Sequence, residues 1–369
     1  MVKQKLLFVI TKSDSIGGAQ IYVLNLAESF KNDGFEVAIA AGGNGAFADL
    51  VRAKDISYIT LKKIENTLNI LKLPSAVLEL NSVINKYNPD LVSLNSSMVG
   101  LVGRISCYLT KTFNVFTVHG WSYTDGISPF KAAIFNYIEK GLKTIYTSWI
   151  LVSKYDYNLG ITNNTLISER AEVIYNGFIL NNNECSQIQL DDKLVNIVMV
   201  ARHDNQKDHK TLFNALKALD GYKLYLIGDG PLLQANVIYV KEIGIFKNVE
   251  FLGYKNDVLD YVKKSDIFVL SSNWEGFPIS TIEAMGCGVP VIVSGVGGAG
   301  EAVEEGVSGY VIKRKDSSLM SKRINSLILN KKLRGYMGVS AEKRANKLFT
   351  LELMYEKTKR FYLSIIEKL

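Results

Sequence analysis

The chain has 369 residues, 47% of them hydrophobic and 21% charged, with a formal net charge of +7. A domain commonly holds roughly 100–200 residues, so two are expected, and the composition excludes a disordered or fibrous chain. No apolar run approaches the roughly 18 residues that a membrane-spanning helix needs.

The basic excess is diffuse, with 17 Lys and Arg against 14 Asp and Glu over residues 1–180 and 26 against 22 over the remainder. Such an excess suits an anionic substrate or an anionic membrane surface, or is a mildly basic solvated surface. No Lys/Arg run with interleaved aromatics is present, so a nucleic-acid partner is not expected. Cys107, Cys185 and Cys287 are odd in number and far apart. They form neither a disulfide framework nor a zinc spacing, and a reducing cytoplasm fits them best. The start, Met1 to Ile10, has too short an apolar stretch for a signal peptide and reads as a first buried strand.

In chain order, Leu6–Ile10 is strand-like, and Gln20 to Phe30 carries Ile21, Leu24, Ala27 and Phe30 at helical spacing. Gly34 stands where a helix end favours a left-handed residue, and Phe35–Ala41 is the next strand. Strands follow at Leu91–Leu94, Val115–Val118 and Ile145–Val152, with helices around 73–87, 97–110 and 130–142. Unbroken apolar strands imply a parallel sheet covered on both faces. Residues 178–193 are polar and Asn-rich and read as a linker.

A second alternating series then begins. Strands are predicted at Val195–Val200, Lys223–Ile227, Val249–Leu252, Ile267–Leu270, Val289–Val293 and Tyr310–Ile312. Helices are predicted near 209–219, 231–243, 257–264, 279–286, 317–330 and 333–346, with a last one near 351–367. Two doubly wound α/β domains are expected, with a crevice at the carboxyl ends of their strands.

The stretch from Ser271 to Pro290 is the most informative. Pro278 suits the first turn of a helix, which leaves the N–H groups of Ile279, Ser280 and Thr281 free for a phosphate. Glu275 precedes that helix and Glu283 lies about one turn inside it, so both carboxylates can face one ligand. A carboxylate accepts two hydroxyl hydrogen bonds at once, which suits a sugar or a ribose diol. Taken alone, Glu275 could equally be a helix cap and Glu283 a solvated helix residue.

The string Glu275-Gly276-Phe277-Pro278 through Glu283 resembles the E-x7-E motif of the retaining glycosyltransferases of family 4, which have the GT-B fold. That resemblance implies two Rossmann-like domains with a donor cleft between them. Residues 1–178 would form the acceptor-side domain and 179–350 the nucleotide-sugar domain. Residues 351–369 would form a helix crossing back to the first. It implies that Glu275 sits beside the donor sugar, that Glu283 holds the ribose, and that the backbone of Phe277 to Ile279 lines the site.

Other segments match the same family. Gly17-Gly18 fits its glycine-rich first loop, where the backbone approaches a diphosphate, although such a loop alone is an ordinary turn. Arg202 and Lys207 fit its cation pair for the departing diphosphate, with Ala201 where the family more often has Gly. Gly253-Tyr254 fits the segment beside the nucleobase, and His119-Gly120 the His-Gly that contacts the donor sugar. Ile179 stands where the family usually has an Asp, so Asn176-Gly177 reads as hinge structure. His203 and His209 match nothing so specific and read as surface or helix residues.

The function so implied is transfer of a sugar from a nucleoside diphosphate donor to an acceptor hydroxyl, with retention, in surface polysaccharide or glycolipid synthesis. No cofactor and no metal is implied, and UDP is commoner in the family than GDP. The acceptor would be a glycan or lipid-linked glycan. The apolar, Lys-containing segment Trp121 to Lys143 could touch a membrane surface, which would place a cytoplasmic protein at the inner membrane face. The alternatives are a nucleotide-sugar epimerase, a sugar phosphorylase, or a non-catalytic partner of another transferase.

Overall fold

A computed structural model describes residues 3–64, 72–124, 126–179 and 188–367. The chain divides into two compact units, Met1–Asn176 with Leu351–Leu369, and Gly177–Thr350. Of the polar stretch read as a linker, residues 180–187 lie outside the described residues, as does Cys185.

The first unit alternates strand and helix: β1 (Lys5–Lys12), α1 (Gly18–Asn32), β2 (Glu36–Gly42), α2 (Ala46–Ala53), β3 (Ser57–Leu61), α3 (Leu73–Tyr87), β4 (Leu91–Leu94), α4 (Ser97–Thr110), β5 (Phe113–Val118), α5 (Pro129–Leu142), β6 (Ser148–Leu151), α6 (Lys154–Thr162) and β7 (Ala171–Val173). All strands are parallel in the order β3-β2-β1-β4-β5-β6-β7. Every residue of β4 and β6 is buried, as a strand covered on both faces requires. Helix α1 turns Tyr22, Leu26 and Phe30 inward and ends before Gly34, whose φ of 92° is the left-handed stop.

The second unit repeats the scheme: β8 (Val195–Val200), α7 (His209–Leu216), β9 (Tyr222–Ile227), α8 (Leu233–Glu242), β10 (Val249–Gly253), α9 (Val258–Lys264), β11 (Ile267–Leu270), α10 (Ile279–Gly286), β12 (Val291–Ser294), β13 (Gly309–Ile312), α11 (Ser317–Leu329) and α12 (Lys331–Leu348). Its parallel order is β10-β9-β8-β11-β12-β13. A final helix, α13 (Leu351–Ile366), belongs to the first unit. There Tyr362 stacks on Phe30 at 5.4 Å, and its hydroxyl lies 2.7 Å from Ser93 Oγ.

Four elements escape the sequence reading: α2, β3, α6 and β7. Strand β3 is a half-exposed edge strand and β7 only three residues long, so neither shows the unbroken apolar run of an inner strand. The strand predicted over 145–152 is confined to Ser148–Leu151, because Thr144 and Ile145 close a turn onto the end of α5. Between β12 and β13 the chain makes a single 3-10 turn, Ala299–Ala302.

Candidate active site

In each sheet the strand order reverses direction at one place, between β1 and β4 and between β8 and β11. Loops leaving the carboxyl ends of two such strands diverge and open a crevice, where α/β sheets bind ligands. In the second unit these loops carry Lys207 after β8 and Glu275 after β11.

The two loops are joined by backbone. Asn273 N donates to Gln206 O at 2.7 Å and Asp208 N to Ser271 O at 3.0 Å, flanking a bridge between Lys207 and Ser272. That pairing carries the Lys207 ammonium onto Glu275 Oε1, with side chains only 13% and 6% exposed. Ser272 Oγ donates to the same oxygen at 2.6 Å. Gln206 Nε2 donates to Glu275 Oε2 at 3.3 Å and to Trp274 O at 3.1 Å. A carboxylate so held keeps one orientation before any ligand arrives.

A third loop locks Glu275 from behind. Gly297 has φ 54°, and a Cβ added there would stand 1.7 Å from Glu275 O. Gly298 N donates to Gly276 O at 2.8 Å. Behind the β8 loop, Gly228 has φ 140° and a Cβ would meet Ala201 O at 2.1 Å, so backbone lies directly on backbone.

Helix α10 begins at Ile279 with Pro278 as its cap residue and no side chain capping it. Its first-turn amides and dipole favour an anion. Phe277 is buried and packs on Phe349 at 5.2 Å, fixing the turn into the helix. Glu283 is partly buried, its carboxyl has no hydrogen-bond partner among the described residues, and burial pushes that carboxyl up to about 7. Gly253 ends β10 with φ 65°, and Tyr254 beyond it is 59% exposed.

Lys207 and Glu275 are thus brought together, but Arg202 is not drawn in. Its side chain is 63% exposed and pairs with Asp204 at 2.8 Å. His203 and His209, read as surface or helix residues, are buried and stacked at 4.2 Å with planes 16° apart, His209 as the first residue of α7. The reason is geometric. His203 follows β8 and His209 opens α7, so their stacked rings join the two ends of the loop that carries Lys207. Asn236 Nδ2 donates to His203 Nδ1 at 2.9 Å, and burial holds His209 down to about 3. Sequence reasoning also passed over Gln206 and Ser272. Both are ordinary polar residues whose role appears only when the loops pair.

In the first unit, Gly17 precedes α1, and its N–H is met by the Gln20 side chain at 3.2 Å. Gly18 is the first helical residue. His119 follows β5 and stands edge-on to Tyr22 at 4.7 Å. Its Nε2 is buried without a partner among the described residues, and burial lowers the ring to about 4, so it is a neutral hydrogen-bonding group. Trp121 and Tyr123, included in the segment proposed to touch a membrane, are buried: Trp121 Nε1 donates to Asp156 O at 2.7 Å, and Tyr123 OH pairs with Thr165. An open groove of about 670 Å³ lies between α5 and α6, lined in part by Ile127, Asn136, Tyr137, Lys140 and Tyr155. Among the described residues no cluster of His, Cys, Asp or Glu could hold a metal ion.

Two doubly wound parallel sheets of this kind define a GT-B protein. The architecture is similar to that of Anabaena HepE in complex with UDP-glucose, at TM-score 0.85 and 21% identity over 99% of this chain and 100% of that one. It is also similar to sucrose-phosphate synthase from Thermosynechococcus elongatus, at TM-score 0.86 and 20% identity over all of both chains. Residues 16–181 match the family model described as Glycosyltransferase Family 4, and residues 182–344 the one described as Glycosyl transferases group 1. The chain belongs to the group 1 glycosyltransferases. It is 24% identical over 370 residues, covering 95% of each chain, to the Escherichia coli UDP-Gal:alpha-D-GlcNAc-diphosphoundecaprenol alpha-1,3-galactosyltransferase. It is 27% identical to the E. coli O-antigen biosynthesis glycosyltransferase WbnH, over 80% of this chain and 83% of that one.

Proposed function

We propose that this chain moves a hexose from a nucleoside diphosphate sugar to an acceptor hydroxyl with retention of configuration, in the synthesis of a surface polysaccharide or glycolipid. The carrying observation is the Lys207–Glu275 pair at the point where the β8 and β11 loops diverge. Lys207 and the first amides of α10 neutralise the leaving diphosphate, as fixed dipoles and cations do where charge develops, and Arg202 joins them on exchanging Asp204 for the phosphate. Glu275 receives sugar hydroxyls, Glu283 the ribose diol, and the Gly253–Tyr254 backbone lies beside the base. Within the first unit, the Gly17–Gly18 loop offers its backbone to a phosphate, and His119 a neutral imidazole to a hydroxyl.

In the bond-making step the bond from the anomeric carbon to the diphosphate breaks on the face where the acceptor oxygen bonds, and the acceptor proton passes to the departing phosphate. No protein nucleophile, resident cofactor or metal enters this reading. UDP is favoured as the nucleotide, because it stands in the name of the E. coli relative and in the HepE structure. That relative's name also supports a lipid-linked glycan as acceptor, met by a cytoplasmic protein in peripheral contact with the membrane. The test is a panel of UDP- and GDP-sugars, screened by thermal shift and then for transfer. A rise in Tm with one UDP-sugar, absent in Lys207→Ala, is expected. A panel that neither stabilises the protein nor is consumed by it would end the proposal.

A further inference from the structure

Asn273, in the loop after β11, holds the loop that carries Lys207. Its backbone N–H donates to Gln206 O at 2.7 Å, and its Nδ2 to Asn205 O at 3.1 Å. Within the Lys207 loop, Asp204 Oδ1 accepts from the N–H groups of Gln206 at 3.0 Å and Lys207 at 3.4 Å. The backbone from Asn205 to Lys207 is thus fixed residue by residue. The remaining polar atom of Asn273, Oδ1, accepts from Arg314 Nε at 3.2 Å. Arg314 follows β13 and is partly buried. It stands on a defined turn. Lys315 beside it takes a left-handed φ of 64°, and Asp316 caps α11 by accepting from Leu319 N at 2.9 Å.

The direction of these bonds decides which way the Asn273 amide faces. An asparagine amide has an acceptor at one end and donors at the other, and either end fits the same space. A guanidinium carries donors only. The amide oxygen therefore faces Arg314, and the nitrogen is left for Asn205 O. A hydrogen bond from a charged donor is about twice as strong as a neutral one, enough to set that choice. Turned over, the amide would put an oxygen against Asn205 O and release that part of the loop. We propose that Arg314 is a positioning residue. By fixing the orientation of Asn273 it holds the Asn205–Lys207 backbone, and so keeps the Lys207 ammonium on Glu275. A small shift of a positioned cation is felt strongly by the group it serves. The consequence for UDP rests on the transferase reading; the consequence for Lys207 itself does not.

The test is acetylation of the full chain with acetic anhydride, without nucleotide, read at Lys207 by mass spectrometry. Arg314→Met keeps the side-chain length and donates nothing. It should be acetylated at Lys207 several-fold faster than the wild type, whereas Arg314→Lys, which still donates, should stay close to it. Asn273→Asp puts an oxygen at both ends with Arg314 intact, and should match Arg314→Met. In titration with UDP, Arg314→Met and Asn273→Asp should bind about 10-fold more weakly, the cost of a polar group left without its partner. Adding Arg314→Met to Asn273→Ala should cost nothing further. An equal loss in that background would mean that Arg314 acts on the phosphate through its own charge, and would overturn the proposal. So would wild-type acetylation rates in Arg314→Met and Asn273→Asp, or an effect of Arg314→Lys as large as that of Arg314→Met. A wild type that binds no UDP ends the transferase reading, while the acetylation rates decide the positioning role by themselves.

Discussion

The ammonium of Lys207 rests on the carboxylate of Glu275, 68 residues further along the chain. Each holds the other in place with little access to water. A partner removed from such a site leaves a charge with no counter-ion, which perturbs more than a surface pair would. Lys207→Ala should weaken UDP binding by about 10- to 100-fold, the worth of a charge-assisted contact, with the fold intact. Glu275→Gln should act on turnover instead, lowering kcat by about 100-fold or more. Titration calorimetry with UDP and steady-state kinetics separate the two. Undiminished nucleotide binding in Lys207→Ala would remove that residue from the donor site.

Glu283 gives a dependence on pH. Its carboxyl, pushed up to about 7 by burial, stays protonated in the folded protein while the unfolded chain has released that proton. The native state then binds more protons, so this group's contribution to stability falls as pH rises from roughly 4.5 to 7. Glu283→Gln should flatten that part of the Tm–pH curve. A ribose diol donating to the ionised carboxylate favours the charged form, so UDP affinity should rise from about pH 6 to about pH 8 in the wild type only. Equal slopes in wild type and variant would detach Glu283 from the ribose.

Gly297 leaves no space for a side chain. Gly297→Ala puts a methyl carbon onto Glu275 O in a left-handed backbone, so the Glu275 loop must move. We expect at least about 2 kcal/mol of destabilisation, with activity lost beyond what the fall in Tm explains. A variant with normal Tm and normal turnover would contradict the packing described.

The buried imidazoles of His203 and His209 tie the two ends of the Lys207 loop. His209→Leu fills similar volume without a flat ring, and His209→Phe keeps one. The donor KM should rise several-fold in the Leu variant and recover in the Phe variant, since small displacements of a positioned cation are felt strongly. Identical KM values in both would reduce the pair to simple core filling.

The alternating strands and helices were readable because inner parallel strands are uniformly apolar. Leu91–Leu94 and Ile267–Leu270 are found with the predicted ends. Strand β3 was not readable, since an edge strand carries Ser57 and Tyr58 where an inner one carries Val or Ile. At the site, Glu275 and Lys207 could be named from their motifs. That Arg202 turns to Asp204 while Lys207 turns to Glu275 depends on the pairing of two distant loops. No local pattern records it. The burial of the histidine stack is hidden for the same reason: His203 meets Asn236 and Phe251 on other elements, while His209 meets His203 and Phe213.

Helix α13 gives the chain an order of completion. The second unit is an insertion, because residues from Leu351 onward return to the first. Tyr362 and Tyr355 cover Phe30, and Tyr355 with Lys359 binds Asp33 at the end of α1. During synthesis the amino-terminal half therefore waits for residues made some three hundred positions later. A chain stopped at Thr350 would leave Phe30 open to water and should bind a hydrophobic dye that the full chain ignores. The part begun first is closed last.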